Sequence, residues 1–125
     1  MTMAYVETER RSYRSEKSFE FRLNESSRMH KKYKNKICVI VEKAKGSYLK
    51  DIDKRKYLVP EDLTLGGLSI VIRKRMSLES HESLIFFIDG KHLFPIETPI
   101  STIYNMHSDP DGLLYITYSN ENTFG

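Results

Sequence analysis

Residues 37–41 read Ile-Cys-Val-Ile-Val, an unbroken apolar run with four β-branched members. With no polar alternation, a run of this length predicts a strand covered on both faces. Such a strand lies inside a sheet, so the chain must supply neighbouring strands and a layer on each side. Two other runs qualify as neighbours: Leu84-Ile85-Phe86-Phe87-Ile88, closed by the turn pair Asp89-Gly90, and Leu113-Leu114-Tyr115-Ile116-Thr117-Tyr118. Lys91 to Leu93 suggests a short returning arm after the first of these.

A fourth strand is of another kind. In Asp53-Lys54-Arg55-Lys56-Tyr57-Leu58-Val59-Pro60 the apolar part follows three consecutive cations, and Pro60 closes it without a backbone N–H. A central strand rarely carries such a run, so this one is expected at a sheet edge. Two readings fit that position: a site where an extended acidic peptide adds a strand, and an edge merely guarded from aggregation by its lysines.

Helices are expected between the strands. Phe19, Arg22, Leu23, Ser26, Met29, His30 and Tyr33 recur at steps of three and four behind a capping Ser18, which predicts an amphipathic helix over 19–36 with a basic C-terminal end. That end suits the helix dipole, and an acidic partner surface is the second reading. Leu63 to Met76 carries both alternations, but Thr64 as a cap, Arg73-Lys74-Arg75 at the end and a length above ten residues favour a crossover helix. Close packing at a helix start explains Gly66-Gly67, which lacks the partners of a phosphate loop. Pro99, Ile100, Ile103, Tyr104 and His107 predict a short helix ending before Ser108-Asp109-Pro110-Asp111-Gly112, a turn.

Met1 to Ser18 is polar and is expected to be a loose or marginally helical extension. At 125 residues with 39% apolar content, one core suffices. Residues 19–118 are expected to be the folded domain, with a helical subdomain over about 19–36, and residues 119–125 a polar tail. A lone Cys38 leaves no internal disulfide and suits a reducing compartment, the cytosol by default; in that apolar run it reads as an inert core thiol. The N-terminus shows no signal-peptide core, and no run approaches the ~18 apolar residues of a membrane span. The four histidines show no ligand spacing and no nucleophile motif appears, so neither a metal, a cofactor nor an enzyme is expected. With a formal net charge of +3, Lys31-Lys32 and Arg73-Lys74-Arg75 would support only weak, salt-sensitive contact with nucleic acid, which is not expected as a partner. Two hairpin-like pairs around a helix, with the first and last strands free to lie parallel at the centre, describe an α+β fold of the β-grasp kind.

The motifs Glu42-Lys43-Ala44, Asp53 to Pro60, Asp62-Leu63-Thr64, Ile72-Arg73-Lys74-Arg75, Asp111-Gly112-Leu113-Leu114-Tyr115 and Glu121-Asn122-Thr123-Phe124-Gly125 resemble, in order and separation, the autophagy-related protein eight family of ubiquitin-like modifiers. The resemblance spans about Phe19 to Gly125. It implies a ubiquitin-like core with two N-terminal helices, conjugation of Gly125 to phosphatidylethanolamine, and recruitment of cargo receptors and adaptors through acidic aromatic-x-x-aliphatic motifs. It also implies E1-like activating and E2-like conjugating enzymes, a processing and delipidating cysteine protease, and residence in the cytoplasm and on autophagosomal or related vesicle membranes.

By the same resemblance, Glu25, Met29, Ile40, Lys56, Leu58 and Leu113 surround the pocket for the aromatic side chain. Tyr57, Val59, Pro60, Leu63, Leu68 and Val71 match the aliphatic pocket, and Lys54, Lys56 and Arg75 would meet flanking acidic residues. Core packing is the plain alternative for about a third of the apolar members. The chain departs from the family pattern at Lys34 and Cys38, where relatives usually have proline, at Gly67, where glutamine is common, and at Leu68, often phenylalanine. An unconjugated β-grasp interaction module in vesicle trafficking is the alternative function.

Overall fold

The computed structural model describes residues 10–120. Two helices come first, α1 (Tyr13–Glu16) and α2 (Phe19–Lys32), then strands β1 (Lys36–Lys43) and β2 (Lys56–Pro60). Helix α3 (Leu65–Met76), strand β3 (Ile85–Ile88), helix α4 (Ile100–His107) and strand β4 (Leu114–Ser119) complete the order. The sheet runs β2-β1-β4-β3, with β1 parallel to β4 and both outer pairs antiparallel. This is the β-grasp arrangement expected from the order of elements.

Strand pleat divides the interior in two. Ile37, Val39 and Val41 of β1 and Leu114, Ile116 and Tyr118 of β4 point into a large core with Leu65, Leu68, Ile72 and Met76 of α3 and Ile100 and Ile103 of α4. Cys38 and Ile40 of β1 face the opposite way and meet Tyr13, Leu113 and Tyr115 in a second, smaller cluster. Burial of β1 on both faces follows from that three-layer stacking.

Helix ends obey local chemistry. The Ser18 side chain accepts from the Phe21 N–H, and Thr64 accepts from the Gly67 N–H, as expected of both caps. A Cβ on Gly67 would fall 2.6 Å from the Leu63 side chain, so the glycine serves close packing where the chain turns into α3. Asp89 and Gly90 have φ of 55° and 73°, and the returning arm amounts to one bridge between Ile88 and His92.

Two expectations need correcting. Over residues 10–18 the stretch expected to be loose or marginally helical holds the one-turn helix α1, but it is docked rather than loose: Tyr13 is 5% exposed, its N–H donates to Glu42, and Arg55 spans Glu16 and Glu42. Only Met1 to Glu9 of that segment lies outside the described residues. Helix α2 ends at Lys32, and Phe19, Leu23 and Tyr33 on its expected apolar face are exposed. That helix docks chiefly through polar groups: Ser26 donates to the Asp111 carbonyl, and Arg22 Nη1 lies 2.5 Å from Asp111 Oδ2. The 44–55 connection turns at Gly46, where φ is 81°, and then sends Leu49 and Ile52 into the main core.

Candidate peptide-docking site

Strand β2 is the sheet edge, as its cations suggested. Its register places Val39 opposite Tyr57 and Ile37 opposite Val59, and the Val41 N–H donates to the Arg55 carbonyl at 2.8 Å. In an antiparallel pair, hydrogen-bonded partners recur every second residue, so Tyr57 and Val59 also turn their backbone groups towards β1. The N–H and C=O groups of Lys56 and Leu58 therefore point away from the sheet. That is a free ladder edge for an added strand.

The same alternation separates the side chains. Lys56 and Leu58 stand opposite Ile40 and Cys38 on the face covered by α1 and α2, whereas Tyr57 and Val59 belong to the core beneath α3. An added strand at this edge would thus have two different apolar surfaces within reach, one beside each neighbouring helix. Ile40 and Leu113 share the small cluster, and Glu25 of α2 reaches Lys56 at 3.6 Å. Glu25 also pairs with Arg28; that hydrogen bond, with Lys56 second, holds its carboxyl below the usual range. Met29 is half-buried one turn further along α2. On the other side, Leu63 packs on the rim of the main core, Leu68 lies within it, and Val71 is 43% exposed on α3. Pro60 is exposed and Leu58 half-buried.

The site residues are accordingly of two kinds. Ile40, Leu68 and Leu113 are at most 1% exposed, and Tyr57 and Val59 are also buried, so all five serve as core in the free protein. Leu58, Pro60, Leu63, Val71 and the cations form the accessible part. Gly125 lies outside the described residues.

The cations are already engaged. Arg75 makes a two-point contact with Asp53, Nε–Oδ1 2.9 Å and Nη2–Oδ2 3.1 Å, and this hydrogen bonding lowers the Asp53 carboxyl below its ordinary range. Lys54 places its ammonium 5.5 Å from the Tyr57 ring centroid. Acidic residues of a partner must therefore compete with Asp53 for Arg75 and with Glu25 for Lys56. Solvent screens pairs of this kind, so exchange is inexpensive. Asp53 was not singled out by sequence reasoning, and its position at the head of the basic run was the available signal. Tyr13 was missed as well, although Ser12 immediately before it is a capping residue whose side chain accepts from the Ser15 N–H.

Among the described residues, no group of three or more His, Cys, Asp or Glu side chains could hold a metal, and no helix is long and apolar enough to cross a membrane. Burial raises the Cys38 thiol above its usual range, which disfavours the reactive thiolate. A cavity of about 660 Å³ lies away from β2, on the face of the sheet lined by Ser12, Glu42, Arg55 and Thr117.

Comparison with known proteins agrees with this architecture. Residues 21–125 match the family model described as "Autophagy protein Atg8 ubiquitin like". The chain is 49% identical over 114 residues to Autophagy-related protein 8 of Vanderwaltozyma polyspora, covering 91% of this chain and 96% of that protein. It is 48% identical over 114 residues to Autophagy-related protein 8a of Arabidopsis thaliana, with coverage of 91% and 93%. Against Autophagy-related protein 8 of Schizosaccharomyces pombe the identity is 49% over 116 residues, covering 93% and 95%. With its sheet order, its two N-terminal helices and these matches, the chain belongs to the Atg8 family of autophagy ubiquitin-like proteins.

Proposed function

We propose that the protein is a non-enzymatic modifier that recruits cargo receptors and adaptors through the β2 edge and is tethered to autophagosomal membranes through Gly125. The observation carrying the recruitment half is the outward-facing backbone of Lys56 and Leu58, flanked by one apolar surface beside α2 and another beside α3. An extended acidic aromatic-x-x-aliphatic peptide matches that edge: side chains three residues apart span about 10 Å. Lys54, Lys56 and Arg75 supply the charge complement.

The tethering half rests on family membership and on the terminal Glu121-Asn122-Thr123-Phe124-Gly125. A glycine carboxylate offers no side chain to obstruct an activating enzyme, and the residues after β4, which takes in Ser119 of the expected tail, would thread into one. Conjugation to phosphatidylethanolamine would bring two acyl chains, about what stable anchoring needs. E1-like and E2-like enzymes and a processing and delipidating cysteine protease would be the partners of that cycle.

Two measurements test the halves separately. Titration with an acidic peptide carrying the motif should show tight binding that Tyr57→Ala and Leu58→Ala weaken at least tenfold; unchanged affinity in both variants would misplace the groove. Activating and conjugating enzymes with ATP and phosphatidylethanolamine vesicles should yield a lipid adduct absent in Gly125→Ala. No adduct from competent enzymes would favour the unconjugated interaction module.

A further inference from the structure

One buried aromatic side chain lies outside both apolar clusters. Phe87 of the edge strand β3 is 3% exposed, yet it belongs neither to the core beneath α3 nor to the cluster around Tyr13, and it borders the cavity of about 660 Å³. Strand register sets the floor of that cavity. Phe87 pairs with Thr117 and Thr117 with Glu42, so the three stand in one row across β3, β4 and β1. The described chain reaches the cavity at both of its ends, through Arg10 and through Ser119. Arg55 is committed there to Glu16 and Glu42, whereas Lys43 and Lys45 of the same lining form no ion pair among the described residues.

The point where the chain leaves the sheet is fixed. Asn120 Oδ1 accepts from the Ser47 hydroxyl at 3.3 Å and from the Tyr48 N–H at 3.2 Å, one residue beyond the end of β4. We propose that the C-terminal tail folds back from this point into the cavity and seats the Phe124 ring against Phe87, which withholds Gly125 from activating and conjugating enzymes until they draw the tail out. The inference rests on the conjugation reading of Gly125. Reach favours this occupant: Phe87 stands opposite Thr117, about 7 Å back along the strand from Ser119, and the chain from Ser119 to Phe124 spans up to about 17 Å. Asn120 and Asn122 suit the reversal that such a path needs. Glu121 supplies the charge complementary to Lys43 and Lys45. Phe124 is the large apolar side chain of the tail and directly precedes Gly125, so burying its ring holds the terminal residue against the sheet.

The sequence contains no tryptophan, so Phe124→Trp places a single fluorescent reporter in the tail of the full chain. Acrylamide should quench that reporter about threefold less than it quenches the free pentapeptide of the same tail sequence, as a tail docked about two-thirds of the time requires. Phe87→Leu and Thr117→Met, which shrink and fill the seat respectively, should each bring quenching up to the peptide's level, with urea midpoints checking that both chains stay folded. Quenching equal to the peptide's before either change overturns the docking, and so does shielding that grows with protein concentration, the mark of a second copy. A shielded reporter in Tyr5→Trp beside an unshielded one in Phe124→Trp would seat the N-terminal segment there and also overturns it. With Phe124 retained, Phe87→Leu and Thr117→Met should form the lipid adduct about threefold faster at limiting activating enzyme, because apparent affinity follows the competent fraction. Equal rates overturn the gating of Gly125 and leave the docking standing. No adduct from any chain with competent enzymes overturns the conjugation reading, a failure that the quenching result does not share.

Discussion

Asp111 is fully buried, yet it carries a carboxylate that one turn of sequence would assign to a surface loop. It survives there because both carboxylate oxygens accept hydrogen bonds. Arg22 Nη1 lies at 2.5 Å, the Tyr115 hydroxyl donates at 2.6 Å, and the Leu113 N–H donates at 2.8 Å. Removing one partner of a buried ion pair strands the other charge, which costs about 3–5 kcal/mol. Arg22→Met keeps the apolar stem and removes the charge, so urea unfolding should show a loss of about 3 kcal/mol; a loss below about 1 kcal/mol would mean that the tyrosine and the backbone suffice. The Asp109-x-Asp111-Gly112 pattern was legible as a turn, and the Gly112 N–H does donate to the Asp109 carbonyl at 2.8 Å. That the turn anchors a helix 85 residues away was not legible, because nothing local distinguishes a solvated aspartate from one facing an arginine.

Helix α2 shows how an element can be located and only partly oriented: of its expected face Arg22, Ser26, Met29 and His30 are sheltered, while Phe19, Leu23 and Tyr33 are exposed. Its N-cap and its basic end are local signals and were read as such, but the side chains that fasten it are Arg22 and Ser26. Gly112 completes the fit, with φ of 86° and an ideal Cβ only 2.6 Å from Ser26 Oγ. Gly112→Ala should therefore cost more than backbone strain alone, which is about 1–3 kcal/mol. Gly46→Ala is the control, since Gly46 has φ of 81° and nothing within 4 Å of its Cβ. Amide exchange in α2 should accelerate in Gly112→Ala and not in Gly46→Ala; equal acceleration in both would place the cost in the backbone rather than in the helix contact. Strand β2 is the opposite case. Its edge position was legible from three cations and a proline, because charge at an unpaired edge is a local consequence of exposure.

Across the molecule, tyrosine burial links the connection 44–55 to the sheet and gives the fold an alkaline limit. The Tyr118 hydroxyl accepts from the Ile52 N–H at 2.8 Å and donates to the Lys50 carbonyl at 2.7 Å, and burial pushes its ionisation up to about 12. Below pH 10 both folded and unfolded chains keep the proton, and this stabilisation is fully present. Between about pH 10 and 12 the unfolded chain ionises while the folded one does not, so stability falls as pH rises. Tyr13, Tyr57, Tyr104 and Tyr115 are raised in the same direction and add to the slope. Urea midpoints should be level near pH 8, fall gently from about pH 9 as the thiol of Cys38 ionises in the unfolded chain only, and decline steeply above 10. Tyr118→Phe should lower the plateau by the lost hydrogen bonds and make the decline shallower; an unchanged slope would remove Tyr118 from the account.

By itself the sequence determined the kinds of element and most of their order: a doubly buried first strand, a charged edge strand, a capped crossover helix and a short helix after Pro99. Each follows from periodicity, caps and turns within some ten residues, where backbone geometry alone decides which side chains share a face. Tertiary structure alone decided which side chains meet across those elements. It put Tyr13 into the small cluster with Ile40 and Leu113, engaged Arg75 with Asp53, left Phe19 and Leu23 in solvent, and made core of Leu68. The physical reason is separation: contacts between residues tens of positions apart depend on how layers stack and on which polar groups find a partner there, and a local pattern carries no record of either.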